Sequence, residues 1–346
     1  RWFANHSAPT AAEVHVDKAT GKTTLSPYPS AAWNAWTPNS TAAETRAQLV
    51  NVQSVFTDHL GRLWVLDTGS AFLGNVTNDG GPKLLRVDLE TDAVVRVYNL
   101  SDLTLPTSYL NDVRISVDGK HAFLTDSNMG GLRHLDLETG RGRVLLAEHP
   151  STHSEVGFVT SVEGKSMIMI TGAPAAFQSD GIAVIEDYVY YHACTGRTLY
   201  RIQQDFLIDP AYTVAQVEAA VEVVSVSGVP DGMLLVGNDK LEGTLFMTAV
   251  QKDGIDLMFP GSGGDNAGLP FVRDQILQWP DSLSAPVVTG PDEEYFLYVT
   301  ASQVDKAPFI QGARARRNTY GLYKVALPEA LVRETLKQRL LPARKN

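Results

Sequence analysis

Residues 51–69, NVQSVFTDHLGRLWVLDTG, and 82–100, PKLLRVDLETDAVVRVYNL, decide the fold. In the first segment two short apolar runs flank Asp58 and Gly61. In the second, two more flank Glu90-Thr91-Asp92. Short runs rich in Val, Leu and aromatic residues, split by turn formers, read as strands joined by tight turns. The stretch from Val50 to Leu100 is therefore expected to form one four-stranded antiparallel unit. The same order of parts returns at 109–128, YLNDVRISVDGKHAFLTDSN, and 130–146, GGLRHLDLETGRGRVLL. Asp67 and Asp126 close the second strand of each copy, and Asp88-Leu89-Glu90 is echoed by Asp136-Leu137-Glu138. A small sheet repeated in this way is the signature of a β-propeller, which gathers its chemistry in a central funnel.

Further strand-turn-strand patterns centre on Tyr190, Phe246 and Leu297, mostly 50 to 67 residues apart. Dividing the 346 residues by a repeat of roughly 58 gives about six. The expectation is an all-β, six-bladed propeller with four-stranded antiparallel blades, forming a single domain over residues 1–346. Residues 1–47 contain a hairpin over Glu13 to Leu25 and would serve as a closure segment that leaves no sheet edge bare. Helices are expected at Pro210 to Glu222, where Val214, Val217 and Val221 fall at helical spacing, and in the tail over 328–346. The Gly-rich run at 261–268 lacks the Lys-bearing helix of a phosphate cradle and reads as a loop.

The chain is 44% hydrophobic and 20% charged, ordinary for a folded domain, with a formal net charge of −10. An acidic surface argues against nucleic acid as a partner. No apolar run is long enough for a membrane helix. The one cysteine, Cys194, permits neither a disulfide within the chain nor a Cys-based zinc site, and reads as a small buried residue. The sequence opens on Arg1 rather than Met, which leads to the expectation of a removed leader and a secreted protein. Acceptor sequons begin at Asn5, Asn39, Asn75 and Asn99 and point the same way, to a secreted glycoprotein. A monomer with a small-molecule ligand, no nucleic-acid partner and no membrane partner is expected.

An ordered series of motifs resembles the yellow / major royal jelly protein family, which is related to the propellers of the SMP-30/gluconolactonase type. The series runs Gln53-Ser-Val, Gly61-Arg-Leu-Trp-Val-Leu-Asp-Thr-Gly69, Pro82-Lys-Leu, Leu110-Asn-Asp112, Thr125-Asp-Ser127, Asp180-Gly-Ile182, Tyr190-Tyr-His192 and Trp279-Pro-Asp281. The resemblance implies a six-bladed propeller with a small-molecule site at the funnel. It leaves the activity open, since members include pigment-pathway tautomerase-like proteins, amine binders and storage proteins. Insect members carry cysteines that are absent here, with Leu60 where one is common, which marks a distant, microbial or fungal member. Lactonase-type relatives hold Ca²⁺ or Mg²⁺ on oxygen ligands. Asn111 resembles their Asn ligand, and Asp180 or Asp231 their Asp. Gln53 stands where their first-blade acid is expected, so metal-dependent hydrolysis is disfavoured and no cofactor is expected.

The start of each innermost blade strand should face the funnel. Asn111, His153, Tyr109 and Asp180 are the candidate catalytic groups. Gln53, Asp112, Glu155, Asp231 and Asp281 are candidate polar ligand contacts, and Met129, Phe158, Phe177, Tyr190 and Trp279 candidate contacts of more apolar or aromatic character. Each has a plainer alternative, because Asp-Gly pairs form turns by themselves and propeller aspartates often bond backbone. The sequence has no Gly-x-Ser-x-Gly elbow, no dinucleotide fingerprint and no zinc-type His pair. Three functions remain. The favoured one is a cofactor-independent isomerase or cyclase of secondary metabolism. It would work on an apolar or phenolic substrate by tautomerisation or by cycloaddition, including the hetero-Diels–Alder type. The others are a metal-dependent lactonase and a non-catalytic carrier of amines or other small ligands.

Overall fold

The computed structural model describes residues 8–17, 19–226, 228–236, 243–260, 268–285, 295–312 and 320–328. The chain forms two compact units, Arg1–Glu148 and His149–Asn346.

In the first unit, β1 (Ala12–Val16) and β2 (Thr23–Pro27) pair as a separate two-stranded sheet. A short helix α1 (Ala42–Arg46) follows, started by a capping box between Thr41 and Glu44. The first blade has the order β3 (Val52–Thr57), β4 (Leu63–Asp67), β5 (Lys83–Asp88), β6 (Ala93–Asn99). The second repeats it with β7 (Leu110–Ile115), β8 (His121–Asp126), β9 (Leu132–Asp136) and β10 (Gly142–Leu145). The β3–β4 turn is tied by the Asp58 carboxylate, which accepts from the backbone N–H groups of Leu60 and Arg62, and it turns at Gly61 with φ +74°. The alternation expected from the sequence puts Trp64, Leu66, Leu84 and Tyr98 of one blade against Leu110, Val113, Leu124 and Leu135 of the next. Each such side chain contributes about 1.5–3 kcal/mol of burial.

Asp67 and Asp126 do close the second strands, and both are fully buried. Asp67 pairs with Lys83 (2.9 Å) and accepts from the N–H groups of Val50, Asn51 and Gly69. Asp126 pairs with Arg133 (2.7 Å) and accepts from Tyr109, Asn128 and Met129. A buried charge is tolerable only when paired and hydrogen-bonded in this way.

The second unit starts with a minimal hairpin, β11 (Ser161–Val162) and β12 (Lys165–Ser166). Its first blade is β13 (Ser179–Ile185), β14 (Tyr188–Ala193), β15 (Thr198–Gln203) and β16 (Glu222–Val226). The next is β17 (Met233–Val236), β18 (Thr244–Ala249), β19 (Gly254–Met258) and β20 (Leu269–Arg273). The last has three described strands, β21 (Pro280–Ser284), β22 (Phe296–Ala301) and β23 (Gly321–Ala326). Helices α2 (Gln204–Ile208) and α3 (Val214–Ala219) sit between β15 and β16.

Among the described residues there are thus five propeller blades rather than the six expected. The even division of the chain fails at two places. The β1–β2 hairpin makes its own sheet, and the long stretch between β10 and β13 contributes only β11–β12 and isolated bridges. The helix expected over Pro210 to Glu222 is shorter. Thr213 caps it, with Gln216 closing the capping box, and Glu222 already begins β16. Residues 329–346, where the C-terminal helix was expected, lie outside the described residues, as does Asn5. Among the described residues no helix is long and apolar enough to cross a membrane.

Candidate functional site

In four of the five blades the innermost strand breaks register at or beside the residue singled out from the sequence. The shifts lie between Val52 and Ser54, between Leu110 and Val113, between Ser179 and Ile182, and between Pro280 and Leu283. These intervals hold Gln53, Asn111-Asp112, Asp180-Gly181 and Asp281-Ser282. A β-bulge re-aims side chains and recurs beside active sites. The second strand supports it. Thr125 accepts from the N–H of Asp112 (3.1 Å), Thr248 from those of Asp231 and Gly232 (2.8 and 3.1 Å), and Thr300 from that of Ser282 (3.0 Å). In β14 the equivalent place is taken by His192, packed so closely on Gly181 that a Cβ there would lie 2.3 Å from Nε2. Gly232 likewise leaves room for the Asp281 backbone carbonyl.

Within the second unit this construction gathers acids from three successive blades. Asp180 and Asp231 are buried, and Asp281 is part-exposed. One oxygen each of Asp180 and Asp231 and the Cys194 sulfur lie within 4.8 Å of one another. The Asp231 carboxyl hydrogen-bonds that of Asp180, and the buried Trp279 indole N–H donates to Asp231 Oδ2 at 2.5 Å. Burial, followed by the charges of Asp281 and Asp180, pushes the Asp231 carboxyl well above the usual range, while the Trp279 bond opposes the shift. Burial and the same acids push the Cys194 thiol up, and it too is hydrogen-bonded to Asp231. Cys194 is therefore a neutral, buried thiol, as its sequence reading held.

Asp180, Asp231 and Cys194 are close enough to meet one ion, and Asp231 also accepts from the Trp279 indole. A thiol is a poor ligand for a hard dication. Gln53, at the place of the first-blade acid of the lactonase-type relatives, brings no charge.

In the first unit Gln53 and Asn111 are part-exposed amides. Gln53 Nε2 donates to Asn51 Oδ1 (3.4 Å), and Asn111 Nδ2 to Ser127 Oγ (2.5 Å). The buried Tyr109 hydroxyl accepts from Asn51 Nδ2 (3.1 Å) and so joins two blades. Asp112 Oδ1 takes bonds from Ser54 Oγ (2.7 Å), Arg114 (2.6 Å) and the Val113 N–H (2.9 Å), a structural tie. The Met129 sulfur accepts from Thr107.

The remaining sequence candidates of this unit make other contacts. Tyr190 is a core residue of the second unit, packed with Ala183, Leu199, Met233 and Leu245, because its place in β14 points it between blades. Glu155 forms a two-pronged pair with Arg197, whose guanidinium also lies 4.7 Å from the Phe158 ring. These residues clasp the loop that follows His153. Phe177 is buried edge-on to Phe309, and its backbone is tied to Thr195. Sequence reasoning passed over His192, Thr248 and Cys194 as site residues. The signal available for the first two was their common place, one before the last residue of a second strand.

Residues 50–308 match the family described as Major royal jelly protein. The chain belongs to this family. Protein yellow of Drosophila melanogaster is 32% identical over 126 residues, which is 34% of this chain and 22% of that protein. Protein yellow of Drosophila subobscura is 31% identical over 126 residues, or 34% and 21%. The match spans only about a fifth of those relatives' own length. Among solved structures, a luciferin-regenerating enzyme aligns with a TM-score of 0.44 and 15% identity, covering 80% of this chain and 91% of that one. A streptogramin B lyase aligns with a TM-score of 0.41 and 14% identity, covering 83% of each. Likenesses this loose carry no argument about function.

Proposed function

We propose that this family member is a secreted, cofactor-independent isomerase or cyclase of small apolar or phenolic molecules, with its proton-transfer site at Asp180, Asp231 and Asp281. The observation that carries the reading is the hydrogen-bonded Asp231–Asp180 pair, with a third carboxyl beside it in a buried setting. Like charges this close cannot all ionise, so one carboxyl keeps its proton at neutral pH while a neighbour is a carboxylate. That supplies an acid and a base a few ångströms apart. Asp231 donates its proton to a carbonyl oxygen as Asp180 or Asp281 removes one from the adjacent carbon, which gives the enol, and the proton then passes from the newly protonated carboxyl back to Asp231 to restore the site; ketonisation runs the same transfers in reverse. A cycloaddition needs only the first half, a hydrogen bond to the polarised carbonyl. The part-exposed Asp281 is the member of the trio that meets solvent. Secretion accords with sequons whose asparagines, Asn39, Asn75 and Asn99, are exposed.

The test is ketonisation of the enol of phenylpyruvate, a small aromatic enol, followed by absorbance across pH in EDTA-treated protein. Wild type should exceed the buffer rate, and Asp231→Asn or Asp180→Asn should lose about 10²–10⁴-fold. Variants that match wild type would remove the acid–base reading. Activity that vanishes with EDTA and returns with Ca²⁺ would move the protein to the lactonase class.

A further inference from the structure

We infer that the second unit carries a binding site for a neutral polyol, a sugar-like molecule with adjacent hydroxyls, in the cleft between the β11–β12 hairpin and the segment 305–312. The inference stands apart from the acid–base reading, and the cleft shares no residue with the acid cluster. It is open to solvent and has a volume of about 450 Å³. Its two walls are tied to each other. The Gln311 N–H donates to the Ile168 carbonyl (2.6 Å), and the Ile170 N–H to the Phe309 carbonyl (2.9 Å). The hairpin turns at Glu163 and Gly164, with φ of +48° and +73°, the two-residue turn in which both central residues are left-handed. That turn brings Glu163 to the cleft, where its carboxylate accepts from Gln278 Nε2 (2.5 Å). Binding sites are usually largely pre-formed in this way.

Lys306 decides the chemistry. Its side chain is only 5% exposed, yet it lines the cleft. Nζ donates to Gln278 Oε1 (2.6 Å). The carboxylate oxygens beside it, Glu163 Oε2 and Asp305 Oδ2, stand at 3.7 and 3.8 Å, beyond hydrogen-bond length. An ammonium has three donors. Two of them therefore have no acceptor at hydrogen-bond distance among the described residues. A buried donor in that state carries a desolvation cost that a ligand oxygen would relieve. A carboxylate or phosphate is the wrong source of that oxygen, because Glu163 and Asp305 flank the ammonium. Negative charge in this corner also reaches Asp253, whose carboxyl is raised by burial and then by Glu163 and Asp305. An amine is no better, because Lys306 already stands beside both acids. A hydroxyl accepts from an ammonium and donates to a carboxylate at the same time. Two adjacent hydroxyls would link Lys306 to both Glu163 and Asp305, while Met167 and Ile310 offer apolar surface to the carbon skeleton.

The experiment is saturation-transfer NMR and calorimetric titration of the full-length protein with neutral polyols, namely the methyl pyranosides of glucose, mannose and galactose, and myo-inositol. Benzoate and tyramine serve as an anion and an amine of similar size. At least one polyol should bind with a Kd of about 1 mM or tighter. Lys306→Met and Glu163→Gln should each weaken it by about tenfold or more, since each removes a charged hydrogen-bond partner. Glu163→Gln preserves the shape of the turn residue and provides the answer if Lys306→Met does not fold. Asp231→Asn should bind the same polyol as wild type does. Absence of binding by every polyol, or binding that the folded variants retain in full, would overturn the site. Benzoate or tyramine bound in place of the polyols would overturn the ligand class. Loss of the polyol in Asp231→Asn would overturn the location and put the ligand at the acid cluster instead.

Discussion

Replacing Asp231 by Asn should make the protein more stable at neutral pH, which is unusual for a buried site residue. The Asn amide is shaped like the protonated acid. Its oxygen can accept from the Trp279 indole and its NH₂ can donate to Asp180, so the contacts of the neutral form survive. In the folded wild type the Asp231 carboxyl titrates well above 3.8, whereas in the unfolded chain it titrates in the ordinary range. Between those two pH values the native state holds a proton that the unfolded state has lost. Stability is therefore fully present below the unfolded pKa and drains away as pH rises to the folded pKa, at about 1.4 kcal/mol per pH unit. Asn has no proton to lose. Urea unfolding of both proteins from pH 4 to 8 should show similar stabilities at the acid end. The Asn variant should then gain on wild type with that slope until the difference flattens, and the flattening marks the folded pKa. Because the slopes of groups outside the cluster cancel in the difference, a gap that stays constant with pH would refute the raised carboxyl and the shared proton with it.

Other expectations bear on the scaffold. Arg133→Leu leaves Asp126 charged, buried and short of its partner, and should cost about 3–5 kcal/mol in urea unfolding. Gly61→Val should cost about 1–2 kcal/mol by forcing a β-branched residue to φ +74°. A Cβ at this site meets nothing within 4 Å, so unchanged melting would deny that the turn needs its left-handed backbone. His134 is lowered from 6.5 to about 4, chiefly by burial and then by the charge of His121, whose Nδ1 lies 3.0 Å away. Because the folded pKa is the lower one, the stabilisation is complete above pH 6.5 and is lost as pH falls toward 4. Over that window it comes to roughly 3 kcal/mol. His134→Phe should flatten this part of the stability profile, and an unchanged acid limb would refute the assignment.

The blades were legible because their cause is local. Alternation and turn residues over 51–69 and 82–100 specify strands without reference to the rest of the chain, and Asp67 and Asp126 could be placed from the repeat alone. The blade count was not local. It depended on dividing the whole chain by a mean repeat and counting the terminal closure segment, when β1–β2 forms a sheet of its own and the stretch between β10 and β13 adds no blade. The same distinction separates Asp180, Asp231 and Asp281 from Tyr190 and Glu155. All five are polar or aromatic candidates from the sequence, but only the first three stand at or within two residues of the start of an innermost strand, where a bulge or an Asp-Gly step turns the side chain out of the pleat.

Comparing the two units shows why acids at that position could be told from structural aspartates only in three dimensions. In the first unit the strand-closing positions, Asp67 and Asp126, hold charges, and each is matched by a buried Lys83 or Arg133 and by three backbone donors. In the second unit the residues closing β14, β18 and β22 are Ala193, Ala249 and Ala301, with no charge to balance. Negative charge there has moved to the innermost strands, where Asp231 meets a thiol, an indole and two further acids. Crowded, buried carboxyls relieve their repulsion by keeping a proton. A proton held in this way is one that can be passed to a substrate, which is why the chemistry is proposed for the second unit, while the first unit's similar-looking aspartates, each paired with a buried cation, are read as scaffold.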